Sequence, residues 1–137
     1  MQQPQMTQAI QTVNPFSRWT LAALHDDHAP IHPHSMAEVL QAGGKEIPAR
    51  VPGNFELDLI QAGLLKADPY NGDGVIELQK YEDCHVYYCA RFVWEQQENA
   101  AELVLEGVDT LAEVCVNGIV VGECENMMIA HRLLVQN

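Results

Sequence analysis

The spacing of apolar and polar positions divides this chain into three stretches. In the first, residues 18–24 alternate weakly around Trp19 and Leu21, which predicts a strand. Residues 25–33, rich in His, Asp and Pro, read as a loop, and residues 36–41 as a short helical turn before Gly43 and Gly44. Residues 46–51 read as extended, because Pro48 and Pro52 push the residues before them out of the helical region. In the second stretch the period is helical. Phe55, Leu59 and Ala62 form one apolar stripe, Asn54 precedes them as an N-cap, and Glu56 and Asp58 suit the positive end of the helix dipole. Gly63 supplies the stop. A helix of about two turns persists only when tertiary packing holds it.

From residue 75 the period becomes two. Val75, Glu77 and Gln79 alternate with Ile76, Leu78 and Lys80, which predicts a strand after a Gly-rich turn. Residues 85–93 are aromatic and β-rich, and residues 102–106 place Leu103 and Leu105 on one face and Glu102 and Glu106 on the other. Residues 112–116 and 119–123 flank Asn117-Gly118, the signature of a hairpin with a tight primed turn. Residues 127–135 predict a last strand. The total is about seven short strands with one short helix, a mainly β, antiparallel sandwich or jelly roll. That number is low for closing two layers, so the sheet is expected to be incomplete at the C-terminus, with an uncovered edge.

Length and composition narrow this further. The 137 residues suffice for one domain, and 47% of them are hydrophobic, which excludes a disordered chain. Residues 1–13 read as a disordered or loosely ordered tail, and residues 14–137 as a single jelly-roll domain. The net charge of -12 repels nucleic acid and anionic membranes, so neither is an expected partner. No apolar run approaches the roughly 20 residues of a membrane span. The Gln-rich N-terminus lacks the basic and apolar regions of a secretory signal, so a cytoplasmic location is expected. Cys84, Cys89, Cys115 and Cys124 are then expected as free thiols. In a two-residue turn at Asn117-Gly118, Cys115 faces Val120 and Cys124 faces Leu111, which disfavours a bridge between the two cysteines.

The candidate chemistry is sparse. His25, Asp26, Asp27, His28, His32 and His34 are metal-ligating types, but their loop offers no periodic element to frame a site, so no metal is expected. Asn71-Gly72-Asp73-Gly74 imitates the middle of a calcium loop, yet Pro69 and Lys80 stand where the first and last ligands belong. The acidic residues near turns and the helix start are explained by capping. No nucleophile elbow, phosphate loop or triad pattern is present, so neither catalytic residues nor a cofactor is expected. Flat aromatic rings suit sugar faces. Trp19, Trp94, Tyr81, Tyr87 and Tyr88 fit strand packing better, whereas Tyr70 lies in a polar loop and is the expected exposed aromatic.

Three blocks of sequence form a pattern in fixed order. The first is Val51-Pro52-Gly53, Asp58-Leu59, Ala62-Gly63-Leu64, Asp68-Pro69-Tyr70 and Gly72-Asp73. The second spans residues 87–92. The third runs through residues 103–110, Ala112, Val114, Val116-Asn117-Gly118, Val121-Gly122 and Asn126-Met127. Together they resemble the front domain of family 2 glycoside hydrolases of the β-mannosidase type, and the resemblance implies a galactose-binding-like jelly roll that carries no catalytic residue. It implies immunoglobulin-like domains and a (β/α)₈ barrel with two glutamates as partners in a parent enzyme, which hydrolyses terminal β-mannosides without a cofactor. It makes Asn126 the residue expected to face the substrate pocket, and Tyr70, the exposed loop aromatic, stands beside it as the second substrate-proximal candidate. Gly74, His85, Val86, Tyr88, Cys89 and Met128 depart from the family pattern and leave other β-glycosides open as substrates. Two further readings stand beside it: an autonomous module that binds carbohydrate, and an interaction protein that forms homo-oligomers through its free sheet edge.

Overall fold

The computed structural model describes residues 12–66, 68–94 and 100–136. Among them the order is β1 (Trp19–His25), α1 (Met36–Gln41), β2 (Ile47–Ala49), α2 (Phe55–Gln61), α3 (Gly74–Leu78), β3 (Cys84–Ala90), β4 (Ala100–Glu106), β5 (Ala112–Val116), β6 (Ile119–Cys124) and β7 (Ala130–Gln136). The expected tail lies outside the described residues as far as residue 11; Thr12 and Val13 are exposed and irregular.

All strand pairs are antiparallel. They form a three-stranded sheet in the order β2-β1-β3 and two two-stranded ladders, β4-β7 and β5-β6. β1 is the middle strand of its sheet, and helices cover both faces. Residues directly opposite one another share a face, so Leu21, Ile47 and Tyr88 project to one side, and Ala22 and Tyr87 to the other. On the first side Leu21 and Ile47 pack with Leu59 of α2 and Leu65, flanked by Phe55, Leu78 and Tyr81. On the second, Ala22 and Leu24 pack with Met36 and Val39 of α1. Each buried leucine here contributes about 1.5–3 kcal/mol. The weak alternation of residues 18–24 follows from this double cover, because a strand buried on both faces has no polar side to display.

The two ladders pack on each other beyond this sheet. Gly122 of β6 leaves room for Leu133 of β7; a Cβ at Gly122 would lie 2.5 Å from a Leu133 methyl. β4 alternates as expected, with Leu103 and Leu105 half-buried and the glutamates exposed.

The local chemistry of α2 follows the sequence. The Asn54 side chain accepts the Leu57 amide at 3.0 Å, and Gly63 ends the helix with φ +72°. Ala62 is exposed, however, and buried Asp58 takes the place it was expected to fill. The Asp58 carboxylate accepts the Arg50 amide at 3.1 Å and so ties α2 to the end of β2.

Residues 75–80 are not a strand. They form α3 and a following 3₁₀ turn, Gln79–Tyr81, and the single expected helix becomes three. Buried Gly74 and half-buried Leu78 and Tyr81 recur at helical spacing, while Val75 and Ile76 face solvent. An alternation only six residues long satisfies either period, and packing of Leu78 and Tyr81 against the α2 side of the sheet decides for the helix.

At the Asn117-Gly118 hairpin both turn residues have positive φ, +51° and +78°, as a primed turn requires. Cys115 faces Val120, as expected. A register shift between Val114 and Cys115 then moves Cys124 opposite Ala112 rather than Leu111. All four cysteines are free. The last strand starts at Ala130, because residues 127–129 belong to the preceding turn.

Candidate functional site

Tyr70 lies in a corner built by Asp68. One Asp68 carboxylate oxygen accepts the Tyr70 amide at 2.9 Å and the other the Asn71 side-chain amide at 2.5 Å. The chain then doubles back so closely that a Cβ on Gly74 would run into the Asp68 carbonyl, which explains glycine at this departure from the family pattern. Tyr70 is 67% exposed. Its hydroxyl accepts a hydrogen bond from Asn54 at 3.0 Å, so it also braces the start of α2.

Asn126 lies in the β6–β7 connection with φ +90°. Its side-chain oxygen accepts the Met128 amide at 2.9 Å, and its carbonyl is 3.2 Å from His131 Nε2. The tip beside it is apolar and open to solvent, with Met128 81% exposed. Tyr70 and Asn126 are not brought together: each shapes a turn in a different part of the fold.

A shallow apolar cavity of about 170 Å³ opens beside Leu21, Ile47, Leu59 and Leu64, with Lys45 and Tyr81 at it. Ligand pockets usually enclose about 300–1,000 Å³, so this one takes no more than a small group.

Two constellations lie outside the expected site residues. The first is aromatic. The Phe16 ring is tilted against Trp19 at 5.3 Å and meets Phe92 edge-on at 4.8 Å, and Phe92 meets Trp94 edge-on at 6.5 Å. Phe92 and Trp94 lie past the end of β3 and remain partly exposed, so cross-strand packing does not account for them. The run Phe92-Val93-Trp94 beyond a strand was the available signal.

The second joins the histidine loop to the β5–β6 hairpin. His32 Nδ1 lies 2.5 Å from Glu113 Oε1, and the Cys115 thiol points at the same oxygen from 3.7 Å. Burial, then the charge of Glu113 and its hydrogen bond, push the Cys115 thiol above its ordinary value. The other loop histidines do not join this group: His25 lies 3.5 Å from Asp27, and the His34 ring rests against Gly118. No sequence signal marks the cluster, since its partners meet only through the tertiary fold.

This architecture, antiparallel ladders with short helical covers, is that of a galactose-binding-like β domain. The chain belongs to the glycosyl hydrolase 2 galactose-binding domain-like family, whose model matches residues 19–137. It is 28% identical to β-mannosidase of Mus musculus over 102 residues, which cover 69% of this chain and 11% of that protein. It is 27% identical to β-mannosidase of Rattus norvegicus over 103 residues, which cover 67% of this chain and 11% of that one. The chain thus spans about a tenth of the curated relatives it matches, each covered over 11% of its length. No solved structure gives a significant match.

Proposed function

We propose that this chain is the non-catalytic front domain of a β-mannosidase-like family 2 glycoside hydrolase, packing against the catalytic and immunoglobulin-like domains of a parent enzyme. The observation that carries the reading is the family match across nearly the whole described domain, joined to β-mannosidase relatives. Engagement of its carboxylates in structural roles supports it: Asp58 holds a backbone amide, Asp68 shapes a turn, and Glu102 pairs with Arg132 at 3.1 Å. The two-stranded ladders leave strand edges that a neighbouring domain, or a second copy of the chain, can cover. The test has two arms. The purified chain should not turn over an aryl β-mannoside, and the encoding DNA should continue in frame into a barrel with two glutamates. Turnover by the chain alone, or a frame that closes at its last codon, overturns the reading.

A second reading, an autonomous carbohydrate-binding module, is favoured by the partly exposed Phe92 and Trp94 beside Phe16 and Trp19. Calorimetry with mannose, mannobiose and galactose separates the two. A scaffold gives no saturable heat; a module gives heat that Trp94→Ala abolishes.

A further inference from the structure

We propose that His32, Glu113 and Cys115 form a binding site for a zinc-class divalent metal ion, which staples the histidine loop to the β5–β6 hairpin. His32 Nδ1, a Glu113 carboxylate oxygen and Cys115 Sγ all lie within 4.8 Å of one another. Imidazole, carboxylate and thiolate together are the donor set of zinc and its transition-metal neighbours, not of calcium or magnesium, which want oxygen alone.

The sequence argued against a metal because the histidine loop lacked a frame. The fold supplies one. The Tyr87 hydroxyl donates to the Pro30 carbonyl at 2.8 Å, which fixes the entry of the loop to β3. The His34 amide donates to Glu38 at 3.1 Å, which fixes the exit to α1. Between these anchors His32 is held at φ +51°, a conformation that non-glycine residues adopt only when their surroundings impose it. On the other side Glu113 and Cys115 flank the register shift of β5, and the Cys115 thiol reaches the Glu113 carboxylate at 3.7 Å.

The distances fit a site closed by a small adjustment. Two ligands on a tetrahedral zinc stand about 3.4 Å apart for nitrogen and oxygen donors, with bonds of about 2.0–2.2 Å, and about 3.6 Å for a sulfur and an oxygen, with a Zn–S bond of about 2.3 Å. Cys115 and Glu113 are 3.7 Å apart, near that value. His32 and Glu113, at 2.5 Å, hold a proton between them, and a metal that replaced it would spread the pair by about 1 Å. A metal at Nδ1 takes the His32 tautomer that carries its proton on Nε2, and the thiol proton of Cys115 goes to solvent. The His32 side chain is 48% exposed, so an ion can enter from water. Three protein ligands leave a fourth position for water.

The proposal does not rest on the family assignment. Its test is a Co²⁺ titration of the full chain under thiol-free reducing conditions. The expected result is a sulfur-to-cobalt charge-transfer band that saturates at one ion per chain. The band should vanish in Cys115→Ser, persist in Cys84→Ser, and require at least about tenfold more metal in His32→Ala. Far-ultraviolet circular dichroism checks that each variant folds. In parallel, Zn²⁺ should raise the melting temperature of the wild type and not that of His32→Ala, a change in an exposed loop. No saturable band, a band that survives Cys115→Ser, or an equal Zn²⁺ effect on His32→Ala overturns the proposal.

Discussion

The Asp58 carboxylate, buried in α2, accepts the backbone amide of Arg50 at 3.1 Å, and this one bond joins a helix to the strand that precedes it. Asp58→Ala leaves that amide without its acceptor and should cost about 1–3 kcal/mol, with Asp58→Asn costing less because an amide oxygen can still accept. Urea denaturation measures both. An unchanged midpoint in Asp58→Ala would show that water replaces the carboxylate at no cost.

Leu78 and Ile76 would share a face in a strand, and do not in α3. Leu78 packs against the core cluster of Leu21, Ile47, Leu59 and Leu65, while Ile76 is 57% exposed. Leu78→Ala should therefore destabilise by about 2 kcal/mol or more, and Ile76→Ala by no more than about 0.5 kcal/mol. Equal losses would restore the strand.

Tyr88 gives the fold a pH signature. Burial, then Asp58 and Glu56, push its hydroxyl from 10.0 up to about 12. The unfolded chain releases this proton near pH 10, the folded chain near pH 12. Between the two the unfolded state binds fewer protons, so stability is complete below about pH 10 and declines as pH rises toward about 12. Tyr88→Phe removes its share of that decline. Denaturant midpoints across this range should converge for the two proteins at the alkaline end if Tyr88→Phe starts lower, and a parallel pair of curves would refute the assignment.

Gly118 is held at φ +78° with the His34 ring against it. Gly118→Ala should lower stability by about 1–2 kcal/mol from the left-handed backbone, before any displacement of His34 is added. Thermal melts of Gly118→Ala and of the double variant Gly118→Ala/His34→Ala separate the two contributions; a double variant no better than the single one would mean that the ring contact is immaterial.

What the sequence disclosed, it disclosed through residues whose local role has few alternatives. Asn54 and Gly63 bracket α2 because one caps donors and the other adopts positive φ. Asn117-Gly118 marks a hairpin for the same reason. Residues 75–80 misled because their helical face is completed by Gly74 and Tyr81, outside the alternating window. The register shift at Val114 and Cys115 leaves no mark in residue type, since a bulge of this kind is a matter of backbone hydrogen bonding. His32 and Glu113, 81 positions apart, meet only because the fold brings the loop over the hairpin. Tyr70 was legible as an exposed ring, but its bond to Asn54 was not.

The central place of β1 has a consequence for how the protein is made. Its long partner, β3, follows all three helices in the chain. At translation speeds of about 5–20 residues per second, β1 leaves the ribosome on the order of seconds before the strand that pairs with it along its full length. For that interval β1 carries an unpaired backbone edge, and a chaperone that recognises extended segments would meet it there first.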